Sequence, residues 1–158
     1  MNAVTGPTPP QPRRILPPIY FAAAVGAMIA LHFLFPVMKF GQAAFTAAGI
    51  ALILAGVAIA TWARGLFRRA GTTVKPFQES SALVTAGPYR FTRNPMYVGM
   101  VTGLLGVGLW LGSLLPFLVV PIFATWIERR FIRYEEAGLE RKFGAAYRDY
   151  TGRVRRWI

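Results

Sequence analysis

Two polar clusters interrupt a chain that is otherwise largely apolar. Tyr89, Arg90, Arg93, Asn94 and Tyr97 form one, and Glu128, Arg129, Arg130, Arg133, Glu135 and Glu136 form the other. Carboxylates accept hydrogen bonds from sugar hydroxyls or an ammonium, arginines pair with a carboxylate, and aromatic faces attract a sulfonium or stack on adenine. Brought together, the two clusters can hold a bulky zwitterionic ligand. The residue types alone do not select that ligand, since a solvated charged helix with basic flanks has the same composition. The one histidine, His32, is expected to be a packing or interface residue. The chain has no cysteine, which excludes disulfides, thiolate metal sites, cysteine nucleophiles and prenylation of the chain itself. No metal site is expected.

The elements that must position these residues are apolar and long. Of the 158 residues, 54% are hydrophobic and 15% charged, against about a quarter charged in an ordinary soluble domain. A single core of this size cannot bury so much apolar surface, so a lipid bilayer is the expected solvent. Residues 1–14 read as a flexible tail, holding four of the twelve prolines and ending in Arg13-Arg14. A first span is expected over about 15–35, with Pro17 and Pro18 tolerated in its opening turn. A short loop over 36–42 leads to a second span at about 43–65, whose alanines and glycines permit close packing. Residues 71–96, rich in Gly, Pro, Ser and Thr, read as a structured connection.

From Tyr97 to Ile127 the chain is apolar except near Gly112-Ser113. Two tilted helices, about 97–111 and 114–127, are the expected reading, with a re-entrant pair as the alternative. Gly99, Gly103 and Gly106 invite close approach by another helix or by a ligand, and Pro116 and Pro121 are expected to kink the last span. A charged helix over 128–150 then leaves the membrane. The expected fold is therefore all-α: an integral membrane helical bundle of about four transmembrane helices plus a cytoplasmic C-terminal helix, with 15–158 as one domain.

The net charge of +12 is compatible with nucleic-acid binding, but its distribution argues for a bilayer partner and against nucleic acid. Basic blocks at Arg13-Arg14, over 64–93 and after Glu128 alternate with apolar spans, as the positive-inside bias produces. Four spans with both termini inside put all of these blocks on the cytoplasmic side; an odd number does not. The connection and the final helix then share that side, and their polar residues can meet.

The stretch Leu83-Val84-Thr85-Ala86-Gly87-Pro88-Tyr89-Arg90-Phe91-Thr92-Arg93-Asn94-Pro95-Met96-Tyr97-Val98-Gly99 resembles the cofactor signature of the isoprenylcysteine carboxyl methyltransferase and phospholipid methyltransferase superfamily. Tyr134-Glu135-Glu136, Leu139, Phe143-Gly144, Tyr147 and Tyr150 are similar to its second block, in the same order, with a hydrophobic hairpin between the two. The resemblance implies an S-adenosylmethionine site, with S-adenosylhomocysteine as product, formed by the loop and the C-terminal helix. It implies that Leu83, Val84 and Tyr89 line the cofactor, that Asn94, Pro95 and Tyr97 form the motif turn, and that Glu135 and Glu136 bind the cofactor. Arg130 or Arg133 would stand near the acceptor. Asn94 occupies the place of a histidine in the isoprenylcysteine branch, whereas Asn94-Pro95-Met96-Tyr97 is similar to the phospholipid branch. Asparagine cannot act as a general base; Glu128 or a deprotonated substrate is the alternative.

The expected function is methyl transfer to a lipidic or amphiphilic acceptor, by carboxyl O-methylation or amine N-methylation, at the cytoplasmic face. A small hydrophobic thiol or amine is the competing acceptor. A non-catalytic membrane scaffold is the reading from another class, and cofactor binding separates it from both. A channel or transporter is disfavoured because no ionisable residue sits at the centre of a span.

Overall fold

A computed structural model describes residues 16–35, 37, 39–40, 43–71 and 82–158. The tail with Arg13-Arg14, part of the 36–42 loop and residues 72–81 of the connection lie outside the described residues. The rest is helical: α1 (Pro17–Leu34), α2 (Ala43–Arg69), α3 (Pro95–Leu111), α4 (Val119–Ile127), α5 (Arg133–Phe143) and α6 (Ala145–Arg153). Short 3₁₀ turns cover Gly87–Arg90 and Leu115–Leu118, and a π turn, Glu128–Ile132, joins α4 to α5. No strand forms among the described residues; Lys39 and Ser113 make one isolated bridge.

α1 and α2 are each long and apolar enough to cross a membrane, and α3 is a shorter apolar helix. Pro17 and Pro18 open α1, where the missing N–H groups cost nothing and the fixed φ is already helical. α2 continues past the expected end at 65 to Arg68 and Arg69. Arginine is a good helix former, and its charge is favourable at a helix C-terminus. Ile50, Leu54, Val57 and Trp62 on α2 are exposed, as are Leu118 at the end of the second 3₁₀ turn and Ile122 and Trp126 on α4. Outward-facing surface of this kind is a liability in water and is at home in lipid.

The tightest helix pair is α2 with α3, and glycines make it. A Cβ placed on Gly56 would lie 2.4 Å from the carbonyl oxygen of Gly99, and one on Gly99 would lie 2.5 Å from that of Gly56. One turn-pair away, Gly49 and Gly106 stand in the same relation, at 2.7 and 2.6 Å. The pairing runs in opposite directions on the two helices, so they are antiparallel and touch backbone to backbone. Dispersion and weak Cα–H···O contacts stabilise such an approach where lipid leaves little hydrophobic drive. The glycines of α3 are thus used in helix packing; Gly103 has its open side toward the Phe21 ring of α1, at 3.6 Å.

α1, α3 and α4 enclose the core, where Met28, Leu104, Ile127 and Ile132 are fully buried. Tyr20 packs its ring against Trp126 and Phe131. At one end of the bundle α3 stops at Gly112, whose φ of 67° favours glycine. The segment before α2 is tied there: the Phe40 N–H donates to the Gly112 carbonyl at 2.8 Å, and His32 Nδ1 lies 2.8 Å from the buried Ser113 Oγ.

Two irregularities depart from the expected elements. The charged helix expected to run to 150 breaks at Gly144, which has φ 51° and ψ −118°, a conformation open mainly to glycine. α6 then turns back, and its Tyr147 and Tyr150 are buried. Pro116 lies in the 3₁₀ turn before α4, and Pro121 lies in the first turn of α4. The other interruption is the π turn at Glu128–Ile132, which a pattern of apolar and charged residues does not announce.

Candidate active site

The connection is shaped by its own sequence. Gly87 has φ 60°, and a Cβ there would sit 2.7 Å from Leu66 Cδ1. Glycine is therefore needed both for the backbone and for the contact with α2. Pro88 and Tyr89 follow in a 3₁₀ turn, with the Phe91 N–H donating to the Pro88 carbonyl at 3.1 Å. The Tyr89 ring packs on Phe67 of α2, with centroids 5.4 Å apart. Its carbonyl accepts a hydrogen bond from Tyr150 Oη at 2.7 Å. Pro95 opens α3, and Thr92 Oγ1 accepts from the Asn94 N–H just before it.

The final residues are bound to this loop. The Arg93 N–H donates to the Arg155 carbonyl at 2.9 Å. Thr92 Oγ1 and Asn94 Nδ2 both donate to the Arg156 carbonyl at 3.1 Å. Leu83 packs with Tyr147, Tyr150 and Val154. The loop is thus held between α2 on one side and α6 with the last residues on the other.

Three carboxylates, one in the π turn and two in α5, meet this assembly, each in its own surroundings. Glu128 accepts from Arg156 Nη1, Arg133 Nη2 and Trp157 Nε1, each at 3.0 Å. The hydrogen bonds from Trp157 and Arg133 hold its carboxyl below the usual carboxylate range. Glu136 accepts from Arg156 Nη2 at 2.7 Å and Nε at 3.1 Å, with Arg93 Nε at 3.4 Å and Asn94 Nδ2 in a long contact of 3.5 Å. Glu135 accepts one hydrogen bond from Tyr97 Oη, at 2.9 Å. Burial pushes its pKa up to about 7; the Tyr97 hydrogen bond opposes this and the neighbouring Glu136 adds to it.

The π turn explains how Glu128 and Glu136 reach one guanidinium. Eight residues of regular α-helix would leave them roughly 80° apart around the axis. One extra residue in the π turn removes about 100° of rotation and brings them to within about 20°. Arg156 then spans both.

Among the described residues the Tyr89 hydroxyl is buried without a hydrogen-bond partner. Its phenol is pushed up by burial, and Tyr150 and the Glu135 carboxylate add to this. An orphaned buried hydroxyl beside a singly bonded carboxylate is a polar site that a ligand rich in hydroxyl and amino groups can satisfy.

The sequence-predicted residues fall into three groups. Tyr89, Tyr97 and Glu135 gather at this polar site. Asn94, Pro95 and Glu136 are part of the framework, Asn94 as a brace between α3 and the last residues. Leu83 and Val84 are half-buried in the loop. Arg130 and Arg133 are exposed on the last long helix; Arg133 pairs with Glu128, and Arg130 has no bonded partner among the described residues. Thr92, Arg156 and Trp157 were not singled out for the site: Arg156 and Trp157 fall in the basic block after Glu128, and Thr92 is a neutral residue of the connection. His32 sits beyond the far end of α3 from Tyr97, roughly 25 Å away at 1.5 Å per residue, and has no access to this site. Open grooves lie along α2, one of about 420 Å³ lined by Ala58, Thr61, Trp62, Gly65, Leu66 and Arg69; neither Tyr97 nor Glu135 lines it.

Comparisons with known proteins bear on the fold and the family. An uncharacterized protein of Haemophilus influenzae is 46% identical over 63 residues, which are 40% of this chain and all of that one. The structure of the eukaryotic intramembrane Ras methyltransferase ICMT (isoprenylcysteine carboxyl methyltransferase) superimposes with a TM-score of 0.66 at 23% identity. The match covers 89% of this chain and 51% of that one, so the chain spans about half the length of that enzyme, and the likeness is one of fold. The phospholipid methyltransferase family model matches residues 44–146, from the start of α2 into α6 and through every element of the site except the last residues. The chain belongs to the phospholipid methyltransferase family, as a membrane protein of all-α fold.

Proposed function

We propose that the protein is an S-adenosylmethionine-dependent methyltransferase that modifies a lipidic or amphiphilic acceptor at the cytoplasmic face of its membrane. Family membership supports the transferase class, and the family's phospholipid name together with the likeness to an isoprenylcysteine enzyme supports an acceptor drawn from lipid. The observation that carries the cofactor reading is the polar site itself: Glu135 with a single phenolic partner beside the orphaned Tyr89 hydroxyl.

In this reading Glu135 accepts from the ribose hydroxyls or the ammonium of the cofactor, the Tyr89 hydroxyl supplies a further hydrogen bond, and Leu83 and Val84 line its apolar part. S-adenosylmethionine supplies an activated methyl group on a sulfonium. The protein's contribution is then to orient the two reactants and exclude water. Asn94, whose side-chain amide donates to the Arg156 carbonyl and points its Nδ2 at Glu136, takes no proton. Glu128, held by three donors with a lowered pKa, is a poor base. An acceptor that arrives as a carboxylate or a free amine needs neither, which favours O-methylation of a carboxylate or N-methylation of an amine. The exposed Arg130 and Arg133 are the cations available to a carboxylate or phosphate acceptor.

Titration calorimetry of the detergent-solubilised protein with S-adenosylhomocysteine tests the reading. Saturable binding is expected, weakened at least about tenfold in Glu135→Gln, the loss of one charge-assisted hydrogen bond. A folded wild-type protein that takes up no ligand overturns it. Transfer of labelled methyl from S-adenosylmethionine into a lipid extract then identifies the acceptor class.

A further inference from the structure

The final residues do more than flank a membrane. Val154 is buried, and the backbone carbonyls of Arg155 and Arg156 together receive three donors from Thr92, Arg93 and Asn94, the residues that lead into α3. The Arg156 guanidinium bonds both Glu128 and Glu136, and Trp157 Nε1 bonds the other oxygen of Glu128. One side chain thus links the π turn, the α5 helix and, through its own backbone, the loop. Glu136 and Glu135 are adjacent on α5, yet Glu136 is saturated by cations and Glu135 is not.

We propose that Arg156 is a positioning residue: it latches the final segment across the 92–94 turn and binds Glu136, so that Glu135 alone is presented to the ligand. This rests on the cofactor reading above for the ligand's identity, but the latch itself does not. The two neighbouring carboxylates then divide their labour, one anchoring the fold of the site and one meeting the ligand.

The groups that face Glu135 are the phenols of Tyr97 and Tyr89 and, through the adjacent Glu136, the cations Arg93 and Arg156. The latch therefore sets the charge around Glu135. Removing Arg156 leaves Glu136 less compensated and makes Glu135 harder to ionise. Neutralising Glu136 makes it easier. Ligand binding that requires ionised Glu135 responds to these changes with opposite signs.

The test has two readouts on the full chain in detergent. The first is amide hydrogen exchange of the segment around Arg93, whose N–H is bonded to the Arg155 carbonyl. Exchange there is expected to quicken in Arg156→Ala and to be largely restored in Arg156→Lys, with no need of any ligand. The second is the pH profile of S-adenosylhomocysteine affinity. Its midpoint is expected to move up in Arg156→Ala and down in Glu136→Gln relative to wild type. Unchanged exchange in Arg156→Ala, or midpoints that move in the same direction, overturns the proposal. If Arg156→Ala does not fold, Arg156→Lys and Glu136→Gln decide: a protected Arg93 amide and a lowered midpoint sustain the latch, and their absence removes it. A wild type that binds no S-adenosylhomocysteine while exchange still quickens in the Arg156 variant defeats the cofactor reading and leaves the latch standing.

Discussion

Glu135 and Glu136 are chain neighbours with unlike electrostatics, because successive helical side chains point about 100° apart. Glu136 faces two arginines, whereas Glu135 faces phenols and the buried side of the loop. A carboxyl raised from 4.5 to about 7 binds more protons folded than unfolded between those values, so its contribution to stability falls as pH rises through that window. Glu135→Gln keeps the shape of the protonated form and should escape this loss. At about pH 8 the variant is expected to be more stable than wild type by about 3 kcal/mol, with the difference nearly gone near pH 4.5. Unfolding in detergent at the two pH values checks it; equal stability at pH 8 removes the argument for a strained carboxylate. A residue that costs stability yet stands in the site is what a binding role would leave behind. The pair was legible in the sequence as a pair. Which member is tied down was not, because Arg156 lies twenty residues further on and reaches it only in the folded chain.

At the scale of elements, helix contact and helix register carry the site. The α2–α3 contact holds the loop between them, and it is closed by Gly49, Gly56, Gly99 and Gly106. Gly56→Ala forces a Cβ against the Gly99 carbonyl and should destabilise by about 1–3 kcal/mol. Gly26→Ala on α1, where nothing lies within 4 Å, should be neutral or stabilising by less than about 1 kcal/mol. Thermal unfolding of the two variants separates backbone packing from helix propensity. The π turn sets the register of α5. Deleting Arg129, an exposed residue within that turn, should restore a regular helix with Glu128 and Glu136 seven residues apart, so that α5 keeps its register on α4. Helical content measured by circular dichroism should persist and S-adenosylhomocysteine affinity should be retained. Affinity lost in a deletion that still folds would show that the turn does more than take up one residue.

For the whole molecule, the apolar outer faces and the basic blocks together orient the protein. The 64–71 segment, the site and the final residues carry most of the described positive charge, and the orientation proposed above, with these parts at the cytoplasmic face, rests on the positive-inside bias. A fluorescent reporter fused after Ile158 should therefore light up in a bacterial host, while alkaline phosphatase at the same point should be inactive; the reverse pattern would turn the proposed orientation over. Much of this was readable from the chain alone, because hydropathy, basic blocks and proline positions act locally: they specify where helices lie, that lipid is their solvent and which two segments carry polar chemistry. The two sequence blocks contain Tyr97 and Glu135, which the fold joins by a hydrogen bond. The tertiary structure decided everything that depends on register and on distant pairs. It set Gly99 and Gly106 of α3 against the α2 backbone, and Gly103 and Gly108 against the rings of Phe21 and Phe117. It placed His32 at the end remote from Tyr97, broke the charged helix at Gly144, and turned a basic terminal flank into a clamp. Those outcomes rest on contacts between residues far apart in the chain, whose energies exist only once the helices have met.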